Sequence, residues 1–375
     1  MSFYPSYWER SILLKTFDFI VLGAGIIGKQ IAIKIKEKYP SARIALVDKY
    51  SLSLGASTRN AGFACFGSVS EILDDLNYSS KTDVMRLVDK RRRGIQKLVE
   101  EFGTDSIGYR PTGSYEIFDL NQSEDLKLAL DNLDFINSEL ATITNFKNIF
   151  EIQHNHNFKM NSLSTCLFNR FEGMLNSGML NETISNKAHG LGIIPFYGYD
   201  VKSIERKDNG YVLINENNMQ LSCKQLIVAN NAFASQLLPE LDVVPARGQI
   251  IITKPIENLP FDGIFHCDKG YIYFRNIDER VLIGGGRNHF RNEETTFNFE
   301  GNIGVKDFLI DYLKNVILPN QNFEIDMHWS GIMAMGKVKL PIVKRENENL
   351  LLCVRMSGMG VALGPILSDE IAAMV

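Results

Sequence analysis

Three glycines near the N-terminus have the spacing of a phosphate-binding turn. Gly23, Gly25 and Gly28 follow the apolar segment Phe17 to Leu22 and open a segment with helical spacing of its apolar residues. In such a turn the first glycine permits the tight bend, the second lets the backbone approach a pyrophosphate, and the third lets helix and strand pack closely. Asp48 ends the next apolar segment and is placed to accept hydrogen bonds from a ribose. The pattern predicts dinucleotide binding; a packing motif without a ligand is the alternative.

The segments around this turn predict the elements that hold it. Residues 17–22 and 43–48 have the short apolar runs of buried strands, and residues 25–38 have helical periodicity that Pro40 stops. Strand, helix and strand with short connections form a βαβ unit, which implies a parallel sheet and a right-handed crossover. The helix N-terminus then offers N–H groups to phosphates.

A second candidate segment, GASTRNAG at residues 55–62, follows directly after the second strand. Ser57, Arg59 and Asn60 offer hydrogen-bond donors, while Ala61 and Gly62 leave room for a flat ring. This composition predicts a loop along the path of an extended cofactor. A surface loop with a structural arginine is the alternative.

The composition is that of a globular protein and argues against several classes. The 375 residues are 45% hydrophobic and 22% charged, which suits about two domains, and the formal net charge of -4 does not suggest a nucleic-acid partner. The basic run 90–93 lies in a helical pattern and is interpreted as a solvated face. Five scattered cysteines indicate reduced thiols in a cytoplasmic protein, and we predict no metal site, no signal peptide and no membrane span.

The remaining chain alternates between two kinds of segment. Strand and helix patterns at 175–229 and 349–375 continue the nucleotide-binding type, whereas 244–285 contains strands that include a hairpin joined at residues 276–280. Helices are also predicted at 123–140, at 306–316 and from about Pro365 to the end. The fold class predicted is α/β, with a Rossmann-like domain interleaved with an α+β substrate domain on a largely antiparallel sheet. The predicted bounds are 1–80, 172–240 and 328–375 for the first domain, and 81–171 and 241–327 for the second.

Several motifs, in this order, resemble the D-amino-acid-oxidase-like family of FAD oxidoreductases, which includes glycine and sarcosine oxidases. They are FDFIVLGAGIIG, GASTRNAG, QLIVANNAFASQLL, VPARGQI, GYIYFRN, VLIGGG, HWSGIM and RMSGMGVALGPILSDEIA. The resemblance spans nearly the whole chain. VPARGQI after an LIVAxxA strand is more specific than the glycine turn alone.

The resemblance implies an extended FAD and oxidation of a C–N bond in a small amino acid or secondary amine. The family passes a hydride from the carbon that bears nitrogen to flavin N5, and the reduced flavin passes its electrons to oxygen or another acceptor. Residues expected to bind the cofactor are Gly23, Gly25, Ile26, Ile27, Gly28, Asp48, Lys49, Ser57, Thr58, Arg59, Asn60, Ala61, Gly62, Val201, Ala229, Asn230, Asn231, Gly331, Gly358, Met359, Gly360 and Val361.

The chain departs from the family pattern at three places. Residues 329–335 contain no cysteine, where covalent sarcosine-oxidase-like members have one, so we predict noncovalent FAD. Met333 stands where glycine-oxidase-like members often have a carboxylate-binding arginine. Leu282 stands where sarcosine-oxidase-like members have an oxygen-activating lysine.

Candidate substrate ligands come from strand alternation in 271–275. Alternation puts Tyr271, Tyr273 and Arg275 on one face, where two phenols and a guanidinium could orient a carboxylate. Arg355, before the Gly358–Met359–Gly360 turn, is a second carboxylate-binding candidate, and Arg287 after three glycines is either a ligand contact or a loop residue. For Arg275 the alternative is that the arginine pairs with a surface acid and the tyrosines pack.

Two other functions remain open at this stage. A related flavin dehydrogenase would act on a 2-hydroxy acid or polyol phosphate, and a flavin-binding module would serve a partner or tRNA modification. The residues distinguish neither the substrate nor the electron acceptor, and no general base stands out.

Overall fold

The computed structural model describes residues 4–52, 54–154 and 158–375. The strands, in chain order, are β1 Phe17–Leu22, β2 Ile44–Asp48, β3 Phe63–Ala64, β4 Ser114–Glu116, β5 Phe150–His154, β6 Thr165–Asn169, β7 Gly173–Met174, β8 Ile194–Tyr197, β9 Val201–Lys207, β10 Gly210–Asn215, β11 Gln220–Val228, β12 Val244–Thr253, β13 Ile264–Cys267, β14 Ile272–Ile277, β15 Arg280–Gly285, β16 Ile325–Met335, β17 Ile342–Asn347 and β18 Leu350–Val354. The helices are α1 Ile26–Lys38, α2 Val69–Asp75, α3 Lys81–Phe102, α4 Ser123–Asp131, α5 Leu133–Thr144, α6 Ser177–Gly190, α7 Ala234–Leu237, α8 Ile303–Tyr312 and α9 Gly360–Met374.

The chain divides into two compact units, each made of separate stretches of sequence. Unit 1 contains residues 1–58, 178–245 and 333–375, and unit 2 contains residues 59–177 and 246–332. Residues 59–80, 172–177 and 328–332, which we expected in the first domain, belong to unit 2, and residues 241–245 belong to unit 1. Strand pairing gives the physical reason: β3 pairs with β7, and β16 pairs with β12.

Unit 1 is built on a sheet with a parallel centre. Its order is β17-β18-β11-β1-β2-β8, and β11 also pairs with β10, which pairs with β9. The pairs β1–β11, β1–β2, β2–β8 and β11–β18 are parallel. β1 is apolar along almost its whole length because both of its faces are buried. The predicted Rossmann-like arrangement is confirmed.

Helix α9 begins earlier than the sequence indicated. We placed its start near Pro365, but it starts at Gly360 and carries Pro365 inside. A proline early in a helix loses only one backbone hydrogen bond, and burial of the apolar residues on both sides of Pro365 favours the helix. A Cβ atom on Gly364 would lie 2.6 Å from Nε2 of Gln30 on α1, so the two helices pack closely at this point.

Unit 2 is built on a second sheet, of order β16-β12-β15-β14-β13-β4-β6-β5. Among its strand pairs with a described register, β13–β4 alone is parallel, which confirms the largely antiparallel sheet. The predicted hairpin is β14–β15, and its turn, Asp278–Glu279, is shorter than expected because both residues have positive φ.

Three local expectations in unit 2 need correction. The helix predicted from 123 to 140 is two helices that meet at Asn132, whose amide donates to the Leu128 carbonyl. The helix expected at 306–316 is α8, Ile303–Tyr312, followed by one wider turn. Arg91, part of the basic run interpreted as solvated, is 1% exposed because it lies three to four residues after Leu87 and Val88 on the buried face of α3.

None of the described helices is both long and apolar enough to cross a membrane. All five cysteines are free and buried.

Candidate functional site

The carboxyl edge of the unit 1 sheet collects most of the predicted cofactor residues of that unit. Gly23 follows β1, Lys49 follows β2, Ala229 follows β11 and Arg355 follows β18. Parallel strands end at the same edge, so these four loops are neighbours by topology. In open α/β sheets, ligands bind at this edge where successive connections diverge.

The glycine turn is required by the backbone around it. Gly23 has φ +110°, and a Cβ atom there would lie 2.6 Å from the Ala229 carbonyl oxygen. A Cβ atom on Gly28 would lie 1.8 Å from the Gly23 carbonyl oxygen. At Gly25 the nearest atom would be Ser57 Oγ, at 2.7 Å. Gly28 therefore allows α1 to approach the turn, and Gly23 allows the end of β11 to approach it. Gly25 leaves space for Ser57 of the predicted cofactor segment.

The N-terminus of α1 has no side-chain cap from its own N-cap residue, Gly25. The Ile26 N–H instead donates to Ser57 Oγ at 3.0 Å. A hydroxyl that reaches the first N–H of the helix stands where an anion would bind. Ser57 thus lies within unit 1 beside the N-terminus of α1.

Asp48 lies beside the glycine turn, as the sequence predicted. Its Oδ2 accepts the Ala24 N–H at 2.8 Å and its Oδ1 accepts the Tyr50 N–H at 3.0 Å. Burial raises the pKa of the Asp48 carboxyl, while these two N–H groups act in the opposite direction. Each oxygen retains a lone pair for a further donor, such as a ribose hydroxyl.

Asn231 joins the loop after β11 to the loop after β18. Its Oδ1 accepts the N–H groups of Arg355 at 3.1 Å and Met356 at 3.2 Å. The turn continues through Ser357 and Gly358, which have positive φ, and α9 starts two residues later. The predicted residues Asn231 and Gly358 therefore belong to one hydrogen-bonded structure at the N-terminus of α9.

Arg355 has a carboxylate partner of its own. Its Nη1 lies 2.5 Å from Asp242 Oδ2, its Nε donates to the Leu340 carbonyl at 2.8 Å, and the side chain is buried. These contacts favour the structural alternative over a role in substrate binding. Its φ of 65° holds it in the left-handed region, so the ion pair is formed from a constrained backbone.

In unit 2, the loop that continues the predicted cofactor segment is held by its own hydrogen bonds. Arg59 Nη1 donates to the Ser330 carbonyl at 2.8 Å, and Trp329 Nε1 donates to the Arg59 carbonyl at 3.1 Å. Asn60 Oδ1 accepts from the Gly62 N–H at 2.9 Å and from Ser177 Oγ at 2.7 Å. Gly331, another predicted cofactor residue, directly follows Ser330 on β16. It therefore lies beside the carbonyl that binds Arg59.

Arg275 is a structural centre of unit 2 rather than a free cation. It is 4% exposed, and its Nη1 donates to the carbonyl oxygens of Gly62 and Leu175 at 2.8 Å each. Burial, with a smaller effect from Arg110, lowers the pKa of Arg275 to about 10. The contacts again favour the structural alternative for a residue that we proposed as a carboxylate ligand.

The alternation predicted for β14 is present in the structure. Ile272 and Phe274 lie in the main apolar core of unit 2. Tyr273 lies on the other side, in a smaller cluster with Ala61, Leu282 and Trp329. Burial raises the pKa of Tyr273 to about 12, although the nearby Arg287 acts in the opposite direction. Tyr273 is therefore a neutral phenol over the usual pH range.

Arg287 follows the glycines at the end of β15, and the sequence left its role open between a ligand contact and a loop residue. Its charge interacts with Tyr271, Tyr273 and Glu294, and burial lowers the pKa of its guanidinium. Across the described ranges, this guanidinium makes no hydrogen bond or ion pair. The preceding glycines were the available signal, because Gly285 and Gly286 both have positive φ and bend the chain after β15.

The other predicted cofactor residues have these positions. Lys49 pairs with Asp200 at 3.3 Å, and Val201 is buried at the start of β9. Unit 1 contains Gly23, Gly25, Ile26, Ile27, Gly28, Asp48, Lys49, Ser57, Thr58, Val201, Ala229, Asn230, Asn231, Gly358, Met359, Gly360 and Val361, and unit 2 contains Arg59, Asn60, Ala61, Gly62 and Gly331.

Residues 18–374 match the family model described as FAD dependent oxidoreductase. Among curated proteins, the bifunctional protein ThiO/ThiG of Trichormus variabilis is 23% identical over 210 residues, which is 54% of this chain and 31% of that protein. The chain thus matches about a third of the length of this relative.

Solved structures show the same fold at low identity. Glycine oxidase from Geobacillus kaustophilus is 18% identical with a TM-score of 0.77, covering 96% of this chain and 95% of that one. Iminodiacetate oxidase from Chelativorans sp. is 16% identical with a TM-score of 0.73, covering 95% and 94%.

Proposed function

The chain belongs to the family of FAD-dependent oxidoreductases, and from this premise we propose that it oxidises the C–N bond of a small amino acid or secondary amine. The similar solved structures named above are glycine oxidase and iminodiacetate oxidase, which supports a nitrogen-bearing substrate. The substrate is a small molecule, and oxygen or another acceptor takes the electrons.

The residues of unit 1 fit an FAD. The turn at Gly23 has no space for a side chain, the Ser57 hydroxyl lies at the first N–H of α1, and Asp48 stands beside the turn. Gly25, Ile26 and Ser57 would hold the pyrophosphate, and Asp48 a ribose. FAD, when bound, supplies the two-electron acceptor for the oxidation. With no cysteine at residues 329–335, we propose that it is held without a covalent bond.

The observation that carries the substrate proposal is the unpaired guanidinium of Arg287 beside two phenols. A partly buried cation without a partner in the described chain is a binding site for an anion, and guanidinium binds carboxylates in a bidentate manner. The residue before Arg287, Gly286, donates its N–H to the Tyr271 carbonyl at 2.9 Å. The Arg287 charge interacts with the phenols of Tyr271 and Tyr273. We therefore assign the substrate carboxylate to Arg287, within unit 2.

Neighbouring residues of unit 2 would orient the substrate. Arg291 Nη2 donates to Tyr271 Oη at 3.3 Å and so fixes this hydroxyl. The Tyr273 ring packs on the Phe63 ring, with centroids 5.7 Å apart, and a Cβ atom on Gly284 would lie 2.8 Å from Tyr273 Oη. Both phenols are thus held in place, which is what alignment of a small substrate requires.

The five free, buried cysteines support a compartment that keeps thiols reduced. We accordingly propose the cytoplasm.

The test is an anaerobic screen of the FAD-loaded protein, following the visible absorbance of the flavin. Glycine, N-methylated amino acids, proline, amines without a carboxylate, and 2-hydroxy acids form the panel. We expect an amine that bears a carboxylate to bleach the flavin. Bleaching by a 2-hydroxy acid or polyol phosphate, with no response to any amine, would overturn the C–N assignment and favour the flavin dehydrogenase alternative.

A further inference from the structure

A buried group of three metal-ligand side chains lies in unit 2, apart from the residues discussed so far. Strand pairing brings two of them together, because β3 and β7 are antiparallel with Ala64 opposite Gly173. Cys65 follows β3 and Glu172 precedes β7, so the same register makes them neighbours.

The third member, His266, comes from the central strand β13. Its neighbour Phe265 lies in the apolar core, so His266 faces the other side of the sheet. On that side its ring meets the Phe63 ring edge to face, with centroids 5.5 Å apart. Three separate segments thus direct a sulfur, an oxygen and a nitrogen at one point.

The donor atoms of Cys65, Glu172 and His266 all lie within 4.8 Å of one another. Donors around one zinc ion, bound at about 2.0 to 2.3 Å, are roughly 3 to 4 Å apart, so a small contraction would complete the geometry. The three residues are 6%, 1% and 4% exposed, respectively. Solvent therefore contributes little to satisfying these polar groups.

Two of the donor atoms have no hydrogen bond. His266 Nε2 and Glu172 Oε2 are buried and make no hydrogen bond in the described chain. They lie 3.5 Å apart, as an ion pair when the imidazole is protonated. A buried polar atom left in this state costs about 1 to 3 kcal/mol unless something binds it. Both atoms belong to this cluster, so one ligand could satisfy them together.

The other oxygen of Glu172 is already fixed. Oε1 accepts the Phe66 N–H at 2.6 Å and the Gly67 N–H at 3.2 Å. Two main-chain donors set the orientation of this carboxylate, which is the usual role of groups that support a metal ligand. Glu172 Oε2 accepts no hydrogen bond and is left to bind a further ligand.

A divalent cation would balance the charges of these three ligands. A thiolate from Cys65, the Glu172 carboxylate and a neutral His266 imidazole add up to two negative charges, which a dication neutralises without a net buried charge. A set of one sulfur, one nitrogen and one oxygen suits zinc rather than the all-oxygen preference of magnesium or calcium. We propose that Cys65, Glu172 and His266 bind one divalent cation of the zinc class, with a fourth position for a small ligand.

This proposal revises our expectation of no metal site and is independent of the FAD assignment. The ion would join β3, β7 and β13. No sequence motif indicated it, because the three residues lack the short spacings of zinc motifs.

The test uses the full-length, FAD-loaded protein, stripped with a chelator and then dialysed against Zn²⁺ or Co²⁺. We expect about one zinc per chain by elemental analysis, and a thiolate-to-cobalt charge-transfer band in the Co²⁺ form. Cys65→Ser and His266→Gln should lose the bound metal. Cys166→Ser is the matched control, because Cys166 is equally buried and its thiol faces the Gln153 carbonyl.

The wild-type protein alone can decide the question if a variant does not fold. Absence of a thiolate-to-cobalt band in wild-type protein saturated with Co²⁺ would overturn the proposal. So would zinc that stays bound in folded Cys65→Ser and His266→Gln proteins.

Discussion

Arg275 Nη1 donates a hydrogen bond to the Gly62 carbonyl oxygen at 2.8 Å. The same nitrogen donates to the Leu175 carbonyl, and a Cβ atom on Gly62 would lie 2.6 Å from it. The arginine that the sequence offered as a carboxylate ligand thus holds the end of the GASTRNAG segment. Within unit 2, Arg275 therefore has a structural role, because its guanidinium binds main-chain carbonyl oxygens.

Replacing Arg275 with methionine should therefore destabilise the protein instead of selectively weakening substrate binding. Buried carbonyl oxygens would lose a charged donor, which costs about 2 to 4 kcal/mol in the free energy of unfolding. Urea denaturation measures the loss. Arg280→Met, on the paired strand β15, is the control, since Arg280 forms a partly exposed pair with Asp326 and should cost about 1 kcal/mol or less. A selective rise of KM for carboxylate substrates in folded Arg275→Met would restore it as the substrate ligand.

Substitution of Gly62 by alanine should be costly as well. Gly62 has φ +73°, and the new Cβ would lie 2.4 Å from the Leu175 carbonyl oxygen. Backbone strain of about 1 to 2 kcal/mol adds to this clash. Gly55→Ala, in the same segment but with nothing within 4 Å of its Cβ position, is the matched control. Thermal unfolding of both variants gives the comparison, and equal melting temperatures would contradict the close contact at Gly62.

Replacement of Arg287 by glutamine tests the proposed carboxylate site. Loss of a charge-assisted contact should raise KM for a carboxylate-bearing amine by about 10- to 100-fold, with little effect on an amine without a carboxylate. Steady-state kinetics on the two substrates measure the difference. Arg291→Gln, which removes only the donor to Tyr271, should give a smaller rise. If both substrates respond alike to Arg287→Gln, the carboxylate lies elsewhere.

Lys29 on α1 provides a prediction on pH. Burial lowers its pKa from 10.5 to about 8, although Asp48 acts in the opposite direction. Below pH 8 the lysine is protonated in the folded and unfolded states alike. Between pH 8 and 10.5 only the unfolded state keeps the proton, so stability rises with pH by about 3 kcal/mol from this group.

The difference between wild type and Lys29→Met isolates this contribution from other groups that titrate at high pH. Urea denaturation across the window should show the rise in wild type, and in Lys34→Met, which keeps the lysine at position 29. Lys29→Met should lack it. If the stability of wild type and of Lys29→Met changed in parallel across this pH window, the pKa of Lys29 would not be lowered in the folded state.

The ion pair of Arg355 with Asp242 predicts unequal effects of its two partners. Arg355→Met removes a buried guanidinium that also binds the Leu340 carbonyl, and should cost about 2 to 3 kcal/mol in the free energy of unfolding. Asp242→Asn should cost less, because the Asp242 side chain is 38% exposed and water can replace it. Chemical denaturation of the two variants tests the order. An Arg355→Met protein of unchanged stability and raised KM would instead support a substrate role.

Local pattern was enough to predict the strands and the helix that carry the glycine turn. The run from Phe17 through Gly28 to Asp48 encodes strand, turn and helix through neighbours two to four residues apart, and the predicted β1–α1–β2 unit is present with bounds within one residue. The hairpin and the alternating faces of Tyr273 and Phe274 follow from the same short-range rules.

The partners of buried charges depend instead on residues far apart along the chain. Arg275 and Arg355 looked alike as ligands, but one binds main-chain carbonyls and the other binds Asp242, while Arg287 is left without a partner in the described chain. The cluster of Cys65, Glu172 and His266 arises in the same way, from strand pairing. Periodicity indicates which face of an element is buried. The group that a buried charge contacts is set by long-range packing, so only the tertiary structure identifies it.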